Sequence, residues 1–291
     1  STSWHGQEVI CDARAHVLNY ELSMMAWFSG CVARPVATPD GILHWDQIRE
    51  AIRPPGPHWA PTGLIEIENT QNLAGGTVYP VVVIEEICDR AHELGLKVHM
   101  DGARIFNAAE ACGRPVHEIA AKVDTVMFCL SKALGAPVGS MLAGTGEQIA
   151  RARLYRKRLG GGMRQAGVLA AAGLIALEEH PARLAADHRN AKFLAEALAR
   201  IPGIRVSPAP TNIVIFDVSG TRLTAMEISA RLKARGVLIN PVNAGLMRLV
   251  THYDVDREGC EFALNVLREI VAANSSTCPS PGKEAASHRA G

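Results

Sequence analysis

The sequence predicts an α/β fold: an α/β/α large domain over residues 1–181 followed by a small α+β domain over 182–274. Three observations carry this. The stretch 97–140, KVHMDGARIFNAAEACGRPVHEIAAKVDTVMFCLSKALGAPVGS, opens with an apolar run over 97–100 that ends on Asp101, continues as a helical segment, and reaches a second apolar run over 125–130 that ends on Ser131-Lys132. That is a β-α-β pattern. Ahead of it, Ile84, Ile87, Cys88, Ala91 and Leu94 recur at helical spacing, with Gly95 at the position that closes a helix. Beyond Pro181 the pattern changes to a long amphipathic helix over 182–201 and then short strands and helices in alternation, as in an α+β domain.

Taken in order, 8–11 (EVIC) is an apolar run and reads as a buried strand, followed by Asp12-Ala13-Arg14-Ala15-His16 and a helical segment over 17–25. Residues 31–36 form another apolar stretch, Pro39-Asp40-Gly41 a turn, and 44–52 has helical spacing. Residues 53–63 are rich in proline and glycine and read as a surface loop, and 64–68 is a strand leading into Asn69-Thr70-Gln71-Asn72. A basic helix over 147–159 carries Arg151, Arg153, Arg156, Lys157 and Arg158, a charge run that ordinarily marks a solvated face. Residues 168–177 are alanine-rich and apolar nearly all round, which predicts a buried helix packed on the sheet or at an interface. After Pro202-Gly203, strands are expected over 204–206, 212–218, 237–240 and 247–250, with helices over 224–235 and 255–273. Residues 275–291 are small and polar and read as a disordered tail.

Composition narrows the function classes. With 291 residues, 48% of them hydrophobic, the chain is long enough for a sizeable core. Lysine plus arginine number 30 against 29 acidic residues, so charge gives no argument for nucleic acid or an acidic membrane surface. No apolar run reaches the ~20 residues a membrane-spanning helix needs, and no secretory signal opens the sequence. The seven cysteines are scattered, with no C-x-x-C pair and no His/Cys cluster at zinc spacing; they read as reduced thiols of a cytoplasmic protein without a metal site.

The chemistry is concentrated at two strand ends. A crossover between parallel strands brings both carboxyl ends to one edge of the sheet, where ligands of open α/β sheets bind. Asp101 and Lys132 therefore face one crevice. A strand-end lysine forms a Schiff base with a carbonyl, and an aspartate on the neighbouring strand keeps a pyridine nitrogen protonated. Together they are the two protein contacts that pyridoxal phosphate (PLP) needs to act as an electron sink. Small residues crowd Lys132 in Ser131-Lys132-Ala133-Leu134-Gly135-Ala136-Pro137-Val138-Gly139-Ser140, as backbone approaching a flat cofactor requires.

VHMDGARIFNAA, FCLSKALGAPVGS and LGGGMRQAGVLAAAG resemble the low-specificity L-threonine aldolases, PLP-dependent enzymes of fold type I (the aspartate aminotransferase fold) in the β-eliminating lyase group. The resemblance runs from about Gly6 to about Ala273. It implies that Lys132 carries the cofactor and that Asp101 binds its pyridine nitrogen. His16, in the D-x-x-A-H-x-x-x-Y-E context, is then the residue stacked on the ring. Arg104, of D-G-A-R, sits by the phenolic oxygen and shares the substrate carboxylate with Arg248, of R-x-V-T-H. Lys157 and Arg164, which flank LGGGM, reach the cofactor phosphate across a subunit interface, implying a homodimer or homotetramer with sites completed in trans.

The family usually reads E-N-T-H-N where this chain has Glu68-Asn69-Thr70-Gln71-Asn72. Gln71 can bond a substrate hydroxyl but cannot take its proton. The implied catalytic set is Lys132, His16 and Gln71. The implied reaction is aldol cleavage of L-threonine or L-allo-threonine to glycine and acetaldehyde. The family's S-G-T-x-A-N phosphate loop, which lies ahead of the residue matching Gly6, has no counterpart here, so the large domain reads as N-terminally incomplete. Two alternatives stay open at this point: another fold-type I PLP lyase or transaminase, and an inactive truncated remnant that dimerises.

Overall fold

The computed structural model describes residues 5–275. Its first sheet has six strands: β1 (Glu8–Asp12), β2 (Val32–Val36), β3 (Thr62–Glu68), β4 (Lys97–Asp101), β5 (Thr125–Cys129) and β6 (Ser140–Gly144), in the order β2-β1-β3-β4-β5-β6. The first five run parallel and β6 pairs antiparallel with β5. Four helices link these strands in addition to a short opening pair. The pair is α1 (His16–Asn19) and α2 (Met24–Trp27); the others are α3 (Trp45–Ala51), α4 (Val81–Glu93), α5 (Ile105–Cys112) and α6 (Val116–Ile119), with α7 (Gly146–Arg158) leaving the sheet after β6.

Strand alternation sorts the side chains of this sheet onto two unlike faces. Ile10, Ile65, Ile67, Val98 and Met100 point to one side, where Ile48, Ile84, Ile87, Cys88, Ala91, Ile105 and Ile119 of α3–α6 cover them in a single apolar cluster. Glu66 and Glu68 of β3, His99 and Asp101 of β4, and Thr125 of β5 occupy the alternate positions. On that second face the apolar packing is thin, with Val9, Cys31 and Leu64 meeting Met25 of α2.

A second sheet of four antiparallel strands follows α8 (Gly167–Glu178) and α9 (Leu184–Leu198). Its strands are β7 (Arg205–Val206), β8 (Ile213–Asp217), β9 (Asn240–Pro241) and β10 (Leu246–Val250), in the order β7-β8-β10-β9. Val214 and Phe216 of β8 and Met247 of β10 pack on α9, on α10 (Ala225–Lys233) and on α11 (Arg257–Ser275). The start of α10 is held by a capping box, in which the Thr224 hydroxyl accepts from the Glu227 amide and the Glu227 carboxylate accepts from the Thr224 amide.

Three expectations need correction. The helix expected over 17–25 is broken into α1 and α2, because Leu22 and Ser23 take left-handed backbone angles of 51° and 58°. The break turns Leu22 out to solvent and lets Met25 reach the sheet. The strand β6 was not expected: Ser140-Met141-Leu142-Ala143-Gly144 has no β-branched residue, and it is held by its backbone ladder to β5. The helix expected over 168–177 is present as α8, but only Gly173 and Ala176 are buried, while Val168 is 82% exposed and Leu174 58%. Of the tail expected over 275–291, Ser275 is the last residue of α11 and the rest lies outside the described residues. Among the described residues no helix is long and apolar enough to cross a membrane.

Glu66 stands out on the polar sheet face. It is 2% exposed, and neither carboxyl oxygen has a hydrogen-bond partner among the described residues. Burial, reinforced by the nearby carboxylates of Glu68, Asp101 and Asp12, pushes its pKa well above the ordinary carboxylate value. The fold therefore binds a proton that the unfolded chain releases. This contribution to stability is present at low pH and is lost as pH rises through the folded-state pKa. Glu66→Met, which keeps length and removes the unpartnered acid, is expected to raise stability at pH 8.5 by about 1–3 kcal/mol. The gain should shrink toward pH 5, as read by urea unfolding at both values.

Candidate active site

The strand order reverses between β1 and β3, and there the carboxyl ends of neighbouring strands open a crevice. Four strand-end segments meet at this edge. After β1, the Asp12 carboxylate accepts from the Arg14 amide at 2.8 Å and from the Thr38 hydroxyl at 2.6 Å, while the Arg14 guanidinium donates to the Thr38 carbonyl at 2.8 Å. These bonds shape the loop that delivers His16. The His16 ring stacks on Tyr20 with centroids 5.1 Å apart and places Nδ1 2.8 Å from Glu21 Oε1.

After β3, Glu68 receives two backbone amides: His16 N–H on Oε2 and Asn72 N–H on Oε1, both at 2.8 Å. Asn72 in turn accepts from Arg248 Nη1 at 2.8 Å, which ties β10 of the second sheet to this loop. After β4, the Asp101 carboxylate accepts from the Ala103 amide at 2.9 Å, and its carbonyl accepts from the Asn69 amide at 2.8 Å. Arg104 follows directly. After β5, the chain turns at Lys132, whose carbonyl accepts from the Gly135 amide at 2.9 Å with Gly135 in the left-handed region (φ +72°). Leu130, Leu134 and Ala136 anchor this turn against Ala176 of α8.

A cavity of about 350 Å³ opens here, with Arg104, Ser131, Lys132, Asn212, His252 and Tyr253 in its wall. Tyr253 is held in place by stacking on His180 and by the Arg183 guanidinium 4.5 Å from its ring centre. Thr251, beside it, donates its hydroxyl to the Asp187 carbonyl at 2.7 Å, fixing the end of β10 to α9.

The electrostatics are those of a crowded acid–base cluster. Burial, then the Asp101 charge, pushes Glu68 up to about 7 against the opposing pull of the Asn72 and His16 amides and Arg104. Burial, then the Arg248 charge, pushes the Arg104 guanidinium down from its ordinary value. Arg104 Nε, Asn69 Nδ2 and Thr70 Oγ1 are buried without a hydrogen-bond partner among the described residues. Of these, Arg104 is in the cavity wall, and an unpartnered buried guanidinium N–H there suits a ligand with anionic or acceptor atoms.

The structure thus brings Lys132 and Arg104 into one cavity wall, sets Asp101 at the end of the strand beside β5, and carries Arg248 to the loop after Glu68. Gln71 is fully buried, and both ends of its amide serve its own loop: Oε1 accepts from the Ala74 amide at 2.7 Å, and Nε2 lies 3.4 Å from Glu68 Oε2. Lys157 and Arg164 are exposed, one at the end of α7 and the other beyond it, and neither is in the cavity wall. Sequence reasoning did not single out Glu68, Asn72, Asn212, His252 or Tyr253. The signal at Glu68 and Asn72 is their position at a strand end; the other three carry none beyond proximity to Arg248 in the fold.

Residues 2–221 match the family described as beta-eliminating lyase. Over 270 residues the chain is 40% identical to low-specificity L-threonine aldolase 1 of Arabidopsis thaliana, a match covering 91% of this chain and 75% of that protein. It is 42% identical over 254 residues to the low specificity L-threonine aldolase of Escherichia coli (strain K12), covering 87% and 74%. Among solved structures, the threonine aldolase of Leishmania major superposes with a TM-score of 0.76 at 23% identity, over 91% of this chain and 78% of that one. An aspartate aminotransferase from Thermus thermophilus superposes with a TM-score of 0.70 at 21% identity, over 92% and 71%. The fold is therefore that of the fold-type I PLP enzymes.

Because its amide is bonded on both sides within a closed loop, Gln71→Ala is expected to cost about 1–3 kcal/mol of stability in urea unfolding. A loss of activity at unchanged stability would instead put the Gln71 side chain at the substrate.

Proposed function

The chain belongs to the beta-eliminating lyase family, and from that premise we propose that it is a PLP-dependent L-threonine aldolase. It cleaves L-threonine and L-allo-threonine to glycine and acetaldehyde. The observation that carries this reading is the placement of Lys132 and Arg104 in one cavity wall, with Asp101 at the neighbouring strand end and Arg248 reaching the same edge. The residues present fit the cofactor: an amine at Lys132, a carboxylate at Asp101 for a pyridinium, and the unpartnered Arg104 Nε–H for an anionic substituent. PLP, when bound, supplies a carbonyl for amine condensation and an electron sink for the breaking Cα–Cβ bond.

The chain's own residues bind, orient and hold protons. Lys132 provides the amine. Asp101 accepts the pyridinium N–H and keeps that proton in place. His16 offers an imidazole face to the ring. Arg248, assisted by Arg104, would pair with the substrate α-carboxylate and so fix how the substrate is oriented at this edge. Gln71, a neutral amide without exposed surface, does not take the β-hydroxyl proton, which passes to water in the cavity.

The exposed apolar side of α8, with Val168, Leu174 and Ile175, supports a homodimer or homotetramer. In that assembly Lys157 and Arg164 serve the phosphate of a neighbouring subunit. The change from the six-stranded to the four-stranded sheet supports a large domain ending at 181 and a small one beginning at 182. The six cysteines among the described residues are all free thiols, five of them buried, which supports a reducing, cytoplasmic setting.

The test is a product assay with PLP and threonine, alongside serine, cysteine and phenylserine. Glycine and acetaldehyde are expected from threonine; ammonia release or amino transfer would favour a different lyase or a transaminase. Borohydride reduction should fix the cofactor on the Lys132 peptide, and Lys132→Ala should abolish both the label and cleavage. Arg248→Lys is expected to raise KM roughly 10- to 100-fold, with a smaller effect on kcat, because a bidentate grip becomes a point contact.

A further inference from the structure

One carboxylate at this edge has no role in the scheme above, and it accepts backbone amides from two different loops. Glu68 is 5% exposed and stands at the switch between β1 and β3. Its oxygens are divided between two segments. Oε2 takes the amide of His16 from the β1 loop, and Oε1 takes the amide of Asn72 from the β3 loop. Asn72 then passes the linkage to Arg248 through a 2.8 Å bond. A chain of three hydrogen bonds therefore runs from the backbone of His16 through Glu68 and Asn72 to the guanidinium of Arg248, across 176 residues of sequence in its last step.

Resting on the aldolase reading, we propose that Glu68 is a positioning residue: a clamp that sets His16 and Arg248 in register with each other across the cofactor cavity. It touches neither substrate nor cofactor. It acts because a carboxylate accepts on both oxygens at once, whereas a carboxylic acid or an amide presents a donor on one side. A donor facing either backbone N–H opens one arm of the clamp.

The groups facing Glu68 make that switch accessible near neutrality. Cys11 approaches from β1, Glu66 from its own strand, Asp101 from β4, and Arg104 from the start of α5. Burial first, and then the Asp101 charge, outweigh the His16 and Asn72 amides and Arg104, so the Glu68 carboxylate takes a proton at about pH 7. Below that pH the arms to His16 and Asn72 compete for one good acceptor. Cofactor affinity through His16 and substrate affinity through Arg248 then weaken together.

The experiment compares wild-type chain, Glu68→Gln and Asn72→Ala for PLP dissociation constant by absorbance titration, and for KM and kcat with threonine, from pH 5.5 to 8.5. In the wild type, the PLP Kd and the KM should both rise as pH falls through about 7. Glu68→Gln should show the wild type's low-pH values at pH 8.5, roughly tenfold weaker in each constant, and no pH step. Asn72→Ala should raise KM alone and keep the step in PLP affinity. Glu68→Gln within about twofold of wild type in PLP Kd at pH 8.5, or retaining the step, overturns the clamp.

Should Glu68→Gln not fold, the wild-type amides of His16 and Asn72 carry the test: their hydrogen-exchange protection factors should fall together below pH 7, and unchanged protection overturns the proposal. A wild-type chain that binds PLP but does not cleave threonine sinks the aldolase reading alone, because PLP affinity and amide protection still judge the clamp.

Discussion

Two carboxylates, Glu68 and Asp101, stand in register at the ends of adjacent parallel strands, and the candidate site depends on how they are kept there. Like charges so placed in a buried setting repel, and each is costly without donors. The fold answers with backbone amides: His16 and Asn72 on Glu68, Ala103 on Asp101. Arg104 adds a positive charge between them and is itself pushed toward its neutral form by burial and by Arg248. The loops that carry His16, Asn72 and Arg104 have the shapes they have because those amides must point inward at carboxylates. Ligand-binding geometry at this edge is thus a by-product of satisfying buried charge.

The two faces of the six-stranded sheet divide the labour. One is a continuous apolar cluster against α3–α6, where Ile65, Ile67, Val98 and Met100 are all essentially buried. Close packing there makes the strands rigid and so fixes where their ends stand. The other face is polar, with Glu66, His99 and Thr125 side by side; His99 Nδ1 lies 2.8 Å from the Thr125 hydroxyl, while Glu66 has no partner among the described residues. These side chains line a second cavity of about 320 Å³ with Met24 and Met25 of α2. The asymmetry places the strain of buried acids on one side of the sheet and leaves the opposite side free to supply the stability.

The second sheet contributes through a few long-range contacts. Arg248 to Asn72 and Thr211 to the Gly76 carbonyl join its inner strands to the loop after β3. A side chain on Gly76 would collide with the Thr211 hydroxyl, so the close approach of the two segments depends on that glycine. Asn107 of α5 meets His188 of α9 at 3.1 Å, a further polar contact between the two layers. Each of these joins residues more than 80 positions apart, and so each depends on the complete tertiary arrangement.

The β-α-β unit around Asp101 and Lys132 is legible in the chain alone, because apolar runs of strand length alternate there with helical periodicity and each run ends on an ionisable residue. The sequence likewise set α4, from a stripe with helical spacing, because that signal is local. The resemblance of VHMDGARIFNAA and FCLSKALGAPVGS implied the roles of Asp101, Arg104 and Lys132, and the R-x-V-T-H context that of Arg248. Only the tertiary structure decided the break between α1 and α2, where contact of Met25 with the sheet outweighs continuation of the helix. It alone decided β6, whose weak strand former is held by pairing with β5. It turned Gln71 inward, and it made Glu68 the junction of the loops after β1 and β3. These outcomes depend on which groups meet across the sheet, and hydrogen-bond partners drawn from distant strands leave no period or spacing in the chain.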